Sequence, residues 1–133
     1  MSLGRRHIAF AVLALFLCLG TVALAHPWRA QKAEAATFPA RVQVVADEYR
    51  FSLSRTQVPA GQVTIELANF GEDPHNFRLR RIGGTHIYSI GETLPGARTT
   101  KTFKLNRGRF RYWCSVANHK ALGMKGRLRV TRP

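Results

Sequence analysis

From residue 41 onward the sequence predicts an all-β fold: a two-sheet antiparallel sandwich with Greek-key connections. Apolar and polar residues alternate with a period of two in short runs, as strands with one buried face require. Turn residues interrupt these runs roughly every eight to twelve residues, which leaves about seven short strands, the number and spacing of a sandwich. The 133 residues less the first 25 leave 108, enough for one core and one domain.

Taken in order, Val42, Val44 and Ala46 alternate with polar neighbours, and Tyr49, Phe51 and Leu53 do the same after Asp47-Glu48, giving two strands. Val58-Pro59-Ala60-Gly61 reads as a turn. Val63, Ile65 and Leu67 alternate with Thr64, Glu66 and Ala68, and Asn69 to Pro74 then carries the chain to His75. Beyond it, Phe77 and Leu79 face the core while Arg78 and Arg80 form a basic outer row. Ile82 to Gly96, broken by Gly83, Gly84, Gly91, Pro95 and Gly96, reads as one long connection. Alternation resumes from Thr99 to Leu105, and Asn106-Arg107-Gly108 turns the chain. Phe110, Tyr112 and Cys114 then share one strand face, and Lys125 to Thr131 closes the domain with Leu128 and Val130 opposite Arg127 and Arg129.

Ahead of the sandwich, Arg5 and Arg6 precede an apolar run from Ile8 to Ala25 that ends in Ala23-Leu24-Ala25. A charged start, an apolar middle and a small-residue end make residues 1–25 a signal peptide, or, left uncleaved, an N-terminal membrane anchor. Cys18 fills the apolar run, and Leu15-Phe16-Leu17 before it is too bulky for a lipid-attachment motif. Residues 26–40, Ala-rich with Pro27 and Pro39, read as a linker, and residues 41–133 as the domain. The domain is therefore expected outside the cytoplasm, periplasmic or extracellular.

After cleavage Cys114 is the one remaining thiol, so no internal disulfide can form. A bare thiol in an oxidising compartment is a liability that metal ligation removes. Charge is the other strong bias. Nineteen Lys and Arg (21 less Arg5 and Arg6) against seven acids give +12. Such a field favours encounters with redox proteins that carry acidic docking surfaces, and allows contact with an anionic membrane. Export and the absence of an aromatic stacking motif count against nucleic acid.

The chemistry concentrates in Cys114-Ser115-Val116-Ala117-Asn118-His119-Lys120-Ala121-Leu122-Gly123-Met124, where four residues separate the thiol from the imidazole and four more separate the imidazole from the thioether. Copper electron-transfer sites place two imidazoles and a thiolate in a near-trigonal plane under a weak axial thioether. One further His is needed, and His75, opening a core-facing strand, is the candidate. Cys114 binds as thiolate. His75 and His119 bind as neutral imidazoles with the second ring nitrogen left to a carbonyl, a water or the surface, and Met124 is the axial ligand. His26, at the expected mature N-terminus, and His86, in the long connection, are the other His of the mature chain, and both read as incidental.

Gly108-Arg109-Phe110-Arg111-Tyr112-Trp113-Cys114, the ligand loop and Gly123-Met124-Lys125-Gly126 resemble the C-terminal signature of the cupredoxins, the blue copper proteins. Pro74-His75-Asn76 is similar to their upstream ligand segment. The four-and-four spacing is similar to the auracyanin and rusticyanin types, whereas plastocyanin-like members have a shorter Cys-to-His gap. The resemblance spans roughly Val42 to Val130 and implies one type 1 Cu(I)/Cu(II) ion on His75, Cys114, His119 and Met124. It also implies that hydrogen bonds between Asn76 and Ser115 tie the two ligand segments together. Electrons would pass through an apolar rim at His119, with Ala117, Lys120, Ala121 and Leu122 as the docking residues.

The reading is therefore a monomeric, non-enzymatic electron shuttle. A copper-delivery module of the same fold is the alternative, and it differs by releasing the ion readily.

Overall fold

A computed structural model describes residues 38–133. The expected leader at 1–25, the linker to residue 37, Cys18 and His26 lie outside the described residues. The described residues belong to one compact unit.

Nine strands make up the fold: β1 (Ala40–Asp47), β2 (Arg50–Leu53), β3 (Gln57–Pro59), β4 (Gly61–Asn69), β5 (His75–Arg81), β6 (Ile87–Thr93), β7 (Arg98–Leu105), β8 (Gly108–Trp113) and β9 (Lys125–Thr131). One sheet runs β2-β1-β4-β7 and the other β3-β9-β8-β5-β6. The alternating side chains meet between the two sheets. Val42, Val44, Val63, Ile65 and Leu67 from the first pack with Phe77, Leu79, Phe110, Leu128 and Val130 from the second. Each buried aliphatic side chain of this size contributes about 1.5–3 kcal/mol of transfer free energy. Rings of Phe51, Phe77 and Tyr112, with centroids 5.3 and 5.9 Å apart, fill the layer beneath the ligands.

The all-β sandwich agrees with the alternation, and three details go beyond it. The sheets are mixed: β1 runs parallel to β4 and β3 parallel to β9, because the chain changes sheet between these strands instead of turning back. The turn read at Val58 to Gly61 overlaps β3, in which Val58 is buried and pairs with Val130. The connection read from Ile82 to Gly96 contains β6, which pairs with β5 from Phe77↔Ile90 to Arg80↔Ile87. Only Ile90 and Thr93 of β6 are buried, so this edge strand is held by its partner's ladder and carries little alternation of its own.

Candidate metal centre

Two antiparallel ladders deliver the ligands. β5 pairs with β8 through Arg78↔Trp113, so the next residues outward along both strands bring His75 and Asn76 towards Cys114 and Ser115. β8 pairs with β9 through Trp113↔Lys125, and Cys114 N–H donates to Met124 C=O at 3.0 Å, extending that ladder by one step. Cys114 and Met124 thus face each other where the sheet opens into the loop. Inside the loop Met124 N–H donates to His119 C=O at 3.0 Å, and Ala121 N–H to Asn118 C=O at 2.8 Å, which folds His119 back over the strand ends. Gly123 sits at φ +117°, a conformation that L side chains rarely adopt.

His75, Cys114 and Met124 are fully buried and His119 is 4% exposed. The donor atoms His75 Nδ1, His119 Nδ1 and Cys114 Sγ form a triangle with sides of 3.2, 3.7 and 4.0 Å. Among the described residues it is the one group of three such side chains that could hold an ion. Metal bonds of about 2.0 Å to nitrogen and about 2.3 Å to sulfur, set about 120° apart, separate the nitrogens by about 3.5 Å and each nitrogen from sulfur by about 3.7 Å. The observed triangle matches these spacings to within about 0.3 Å.

The opposite edges of both imidazoles meet carboxylates. His75 Nε2 lies 3.1 Å from Glu48 Oε1, and His119 Nε2 lies 3.4 Å from Asp73 Oδ2. Glu48 Oε1 also accepts the backbone N–H groups of Glu72 at 2.8 Å and Asp73 at 2.9 Å. The Asp73 N–H does most to hold the Glu48 carboxyl below its usual range, with His75 and the Glu72 N–H adding to it against a partial burial penalty. An ionised carboxylate only accepts, so His75 donates its Nε2–H to Glu48 and carries its lone pair on Nδ1. His119 turns its Nε2 edge towards Asp73 Oδ2, so that ring also has a carboxylate at its outer side. The Nδ1 atoms of the two rings stand 3.2 Å apart beside the Cys114 sulfur, an arrangement that suits a shared cation.

Local sequence builds this outer ring. A Cβ at Gly71 would overlap the Glu48 carboxylate, so glycine there makes the cradle possible. Buried Asn69 donates to Asp73 C=O at 2.7 Å and Thr93 C=O at 2.9 Å and accepts Gly71 N–H at 2.9 Å, which sets the 70–74 loop. Tyr49 donates to Asp73 Oδ2 at 3.3 Å and lays its ring 4.8 Å from that of His119; the nearby Asp73 charge pushes the phenol pKa up.

Asn76 and Ser115 are joined. Ser115 N–H donates to Asn76 Oδ1 at 2.8 Å and Asn76 Nδ2 donates to Ser115 Oγ at 3.0 Å, with Arg78 Nε also donating to that hydroxyl at 3.2 Å. Ala117, Lys120, Ala121 and Leu122 are exposed, Leu122 by 52%. They do not frame a bare imidazole edge, because Tyr49 and Asp73 cover His119. His86 is exposed and meets the Tyr88 ring edge-on at 4.5 Å, and among the described residues no ligand cluster includes it. Glu48, Tyr49, Asn69 and Asp73 were not singled out from the sequence; the signal there was an acidic pair beside each of two turns, Asp47-Glu48 and Glu72-Asp73, the second leading directly into Pro74-His75.

No protein-family model and no curated protein matches the chain. Solved structures do. Dithionite-reduced auracyanin from the photosynthetic bacterium Roseiflexus castenholzii is 21% identical with a TM-score of 0.59, covering 69% of this chain and 97% of its own. Auracyanin A, a blue copper protein from the green thermophilic bacterium Chloroflexus aurantiacus, is 21% identical with a TM-score of 0.60, covering 71% and 100%. Reduced rusticyanin is 22% identical with a TM-score of 0.55, covering 71% and 81%. A multicopper oxidase matches at 16% identity and a TM-score of 0.54 over 44% of its chain. The fold is that of the cupredoxins.

Proposed function

We propose that this chain holds one type 1 copper ion on His75, Cys114, His119 and Met124 and shuttles single electrons between redox proteins outside the cytoplasm. The donor triangle carries the reading: two imidazoles and one thiolate at metal-ligand spacing, with a buried thioether on the adjoining ladder step. The fold shared with auracyanin and rusticyanin supports it.

When bound, copper supplies a one-electron couple. The residues do the rest. Cys114 provides the thiolate, and burial of all four ligands keeps water from the site. Glu48 fixes the His75 tautomer with Nδ1 facing inward, and Asp73 places negative charge at the outer edge of His119. The Asn76–Ser115 bonds and the Cys114–Met124 ladder step hold the two ligand segments at a fixed separation in both oxidation states, which keeps reorganisation small. The same burial disfavours the ready ion exchange that a delivery module needs. The chain acts as a carrier and not as an enzyme, and the neighbours that are electron-carrier cupredoxins support this. The export reading rests on the 1–25 leader pattern.

A visible spectrum of the purified protein with Cu(II) tests the centre. The expected result is an intense thiolate-to-copper band that bleaches reversibly with reductant, is absent in Cys114→Ser and survives in Met124→Leu. A weak spectrum, or copper lost to a mild chelator, would transfer the reading to copper delivery.

A further inference from the structure

On the outward face of the five-stranded sheet, the three central strands β5, β8 and β9 carry a row of cations. Across its middle, Arg80, Arg111 and Arg127 stand directly opposite one another on β5, β8 and β9. Towards the far end Arg109 faces Arg129, and at the ligand end Trp113 lies between Arg78 and Lys125. From Leu94 to Pro133 the sequence contains no acidic residue. Among the described residues none of these cations takes part in an ion pair; the Arg pairs are Arg50–Asp47 and Arg98–Glu66, both elsewhere. Like charges directly opposite on neighbouring strands destabilise a sheet. This sheet stacks three such pairs, Arg80↔Arg111, Arg111↔Arg127 and Arg109↔Arg129, on strands that carry no acidic residue.

We propose that this face is the docking surface for a folded protein partner rich in exposed carboxylates, with Trp113 at its centre. That the partner is a redox protein rests on the electron-transfer reading; the surface itself does not. Charge complementarity fixes the sign of the partner. The shape of the face favours a protein over a lipid surface. Lys120 Nζ and Arg80 Cζ lie 5.2 and 5.8 Å from the Trp113 ring centroid, so two cations contact the half-buried indole. Beside it a cavity of about 420 Å³, lined by Arg80, Arg111, Trp113, Lys120, Lys125 and Arg127, can take protruding acidic side chains. Arg and Trp are the residues on which protein interfaces concentrate their binding energy. The face also adjoins the metal centre: Trp113 precedes Cys114, and Arg78 donates to Ser115 Oγ. A partner seated here lies beside the Cys114 ligand and shares only Lys120 with the rim residues.

The test uses the metal-free protein, so it stands or falls separately from the copper spectrum. Backbone amide shifts are followed as poly-L-glutamate is added at low salt, for the parent, for Arg80→Glu/Arg111→Glu, and for Arg41→Glu/Lys104→Glu, which makes the same charge change on the other sheet. Shifts are expected on β5, β8 and β9, with affinity about tenfold lower in the first variant and within about twofold of the parent in the second. Arg111→Gln/Arg127→Gln, which removes repulsion and should fold at least as well as the parent, must also lose binding. Equal losses in both charge-reversal variants, or shifts centred on Leu122, would overturn the proposal. So would binding to phosphatidylglycerol vesicles through this face while poly-L-glutamate leaves it untouched.

Discussion

At the scale of single residues, the carboxylates behind the imidazoles carry the most consequence. Glu48 is anchored by two backbone N–H groups as well as by His75, so its orientation does not depend on the metal. It therefore presets the His75 tautomer before any ion arrives. Glu48→Gln keeps the shape but removes the charge and one acceptor oxygen, and outer partners of this kind are typically worth 10–100-fold in metal affinity. The expected result is a copper affinity about tenfold weaker by chelator competition and a higher reduction potential, since a negative charge that favours Cu(II) is gone. Unchanged values of both would remove Glu48 from the site. The four ligands could be named in the sequence because thiol, imidazole and thioether are rare side chains at a recognisable spacing. Glu48 and Asp73 could not, because a carboxylate beside a turn is the commonest of surface features. What makes Glu48 different is the missing Cβ of Gly71 and the Asn69 bonds that shape the loop around it.

At the scale of elements, the site depends on register. Tyr112 pairs with Gly126 across β8 and β9, and its ring occupies the space that a Cβ on residue 126 would fill. Gly126→Ala forces that ring or strand to shift, and overpacking of this kind costs about 1–3 kcal/mol. Chemical denaturation of the metal-free protein should show that loss, and the copper band should change with it, because Met124 is two residues from the disturbed pair. A full loss of stability with an unaltered band would separate ladder from site. A second link spans three strands on the other sheet, where Glu66 accepts from Gln43 Nε2 at 3.1 Å and from Arg98 at 2.8 Å. The Gln43 bond and then the Arg98 bond and charge hold the Glu66 pKa below 4.5. A depressed folded-state pKa contributes stability that is present above the unfolded value and lost as pH falls through the folded one. Both groups are partly exposed, so the effect is small. Glu66→Gln should sit at a slightly lower stability than the parent, by a constant margin above about pH 5 that shrinks as pH falls through the lowered folded-state pKa. A margin that persists in acid would point to packing instead. The strands that sequence reading missed share a physical cause: β3 is three residues long and β6 buries two side chains, so both owe their existence to a neighbour's ladder. The same holds for the parallel pairings, which depend on where the chain crosses between sheets.

At the scale of the whole molecule, the metal centre stands where separate parts of the fold converge. His75 opens β5, Cys114 follows β8, Met124 precedes β9, and the carboxylates arrive from the β1–β2 and β4–β5 turns. Both sheets and their shared core are complete without the ion, so the metal-free protein should fold. An ion held by the buried His75, Cys114 and His119 donors would tie these segments together. Binding to the folded state alone adds about 4 kcal/mol when free ion exceeds its dissociation constant a thousandfold. For a domain near 100 residues each kcal/mol raises the melting temperature by about 4–8 °C. Copper loading is therefore expected to raise Tm by about 10 °C or more, even after allowing for some binding of the ion to the unfolded Cys and His. Cys114→Ser should lose most of that gain and Met124→Leu should keep most of it, because a long axial thioether adds little affinity. If parent and metal-free protein melt together, the ion is held too weakly for a resident carrier centre, and the buried triangle serves passage of copper instead of electrons.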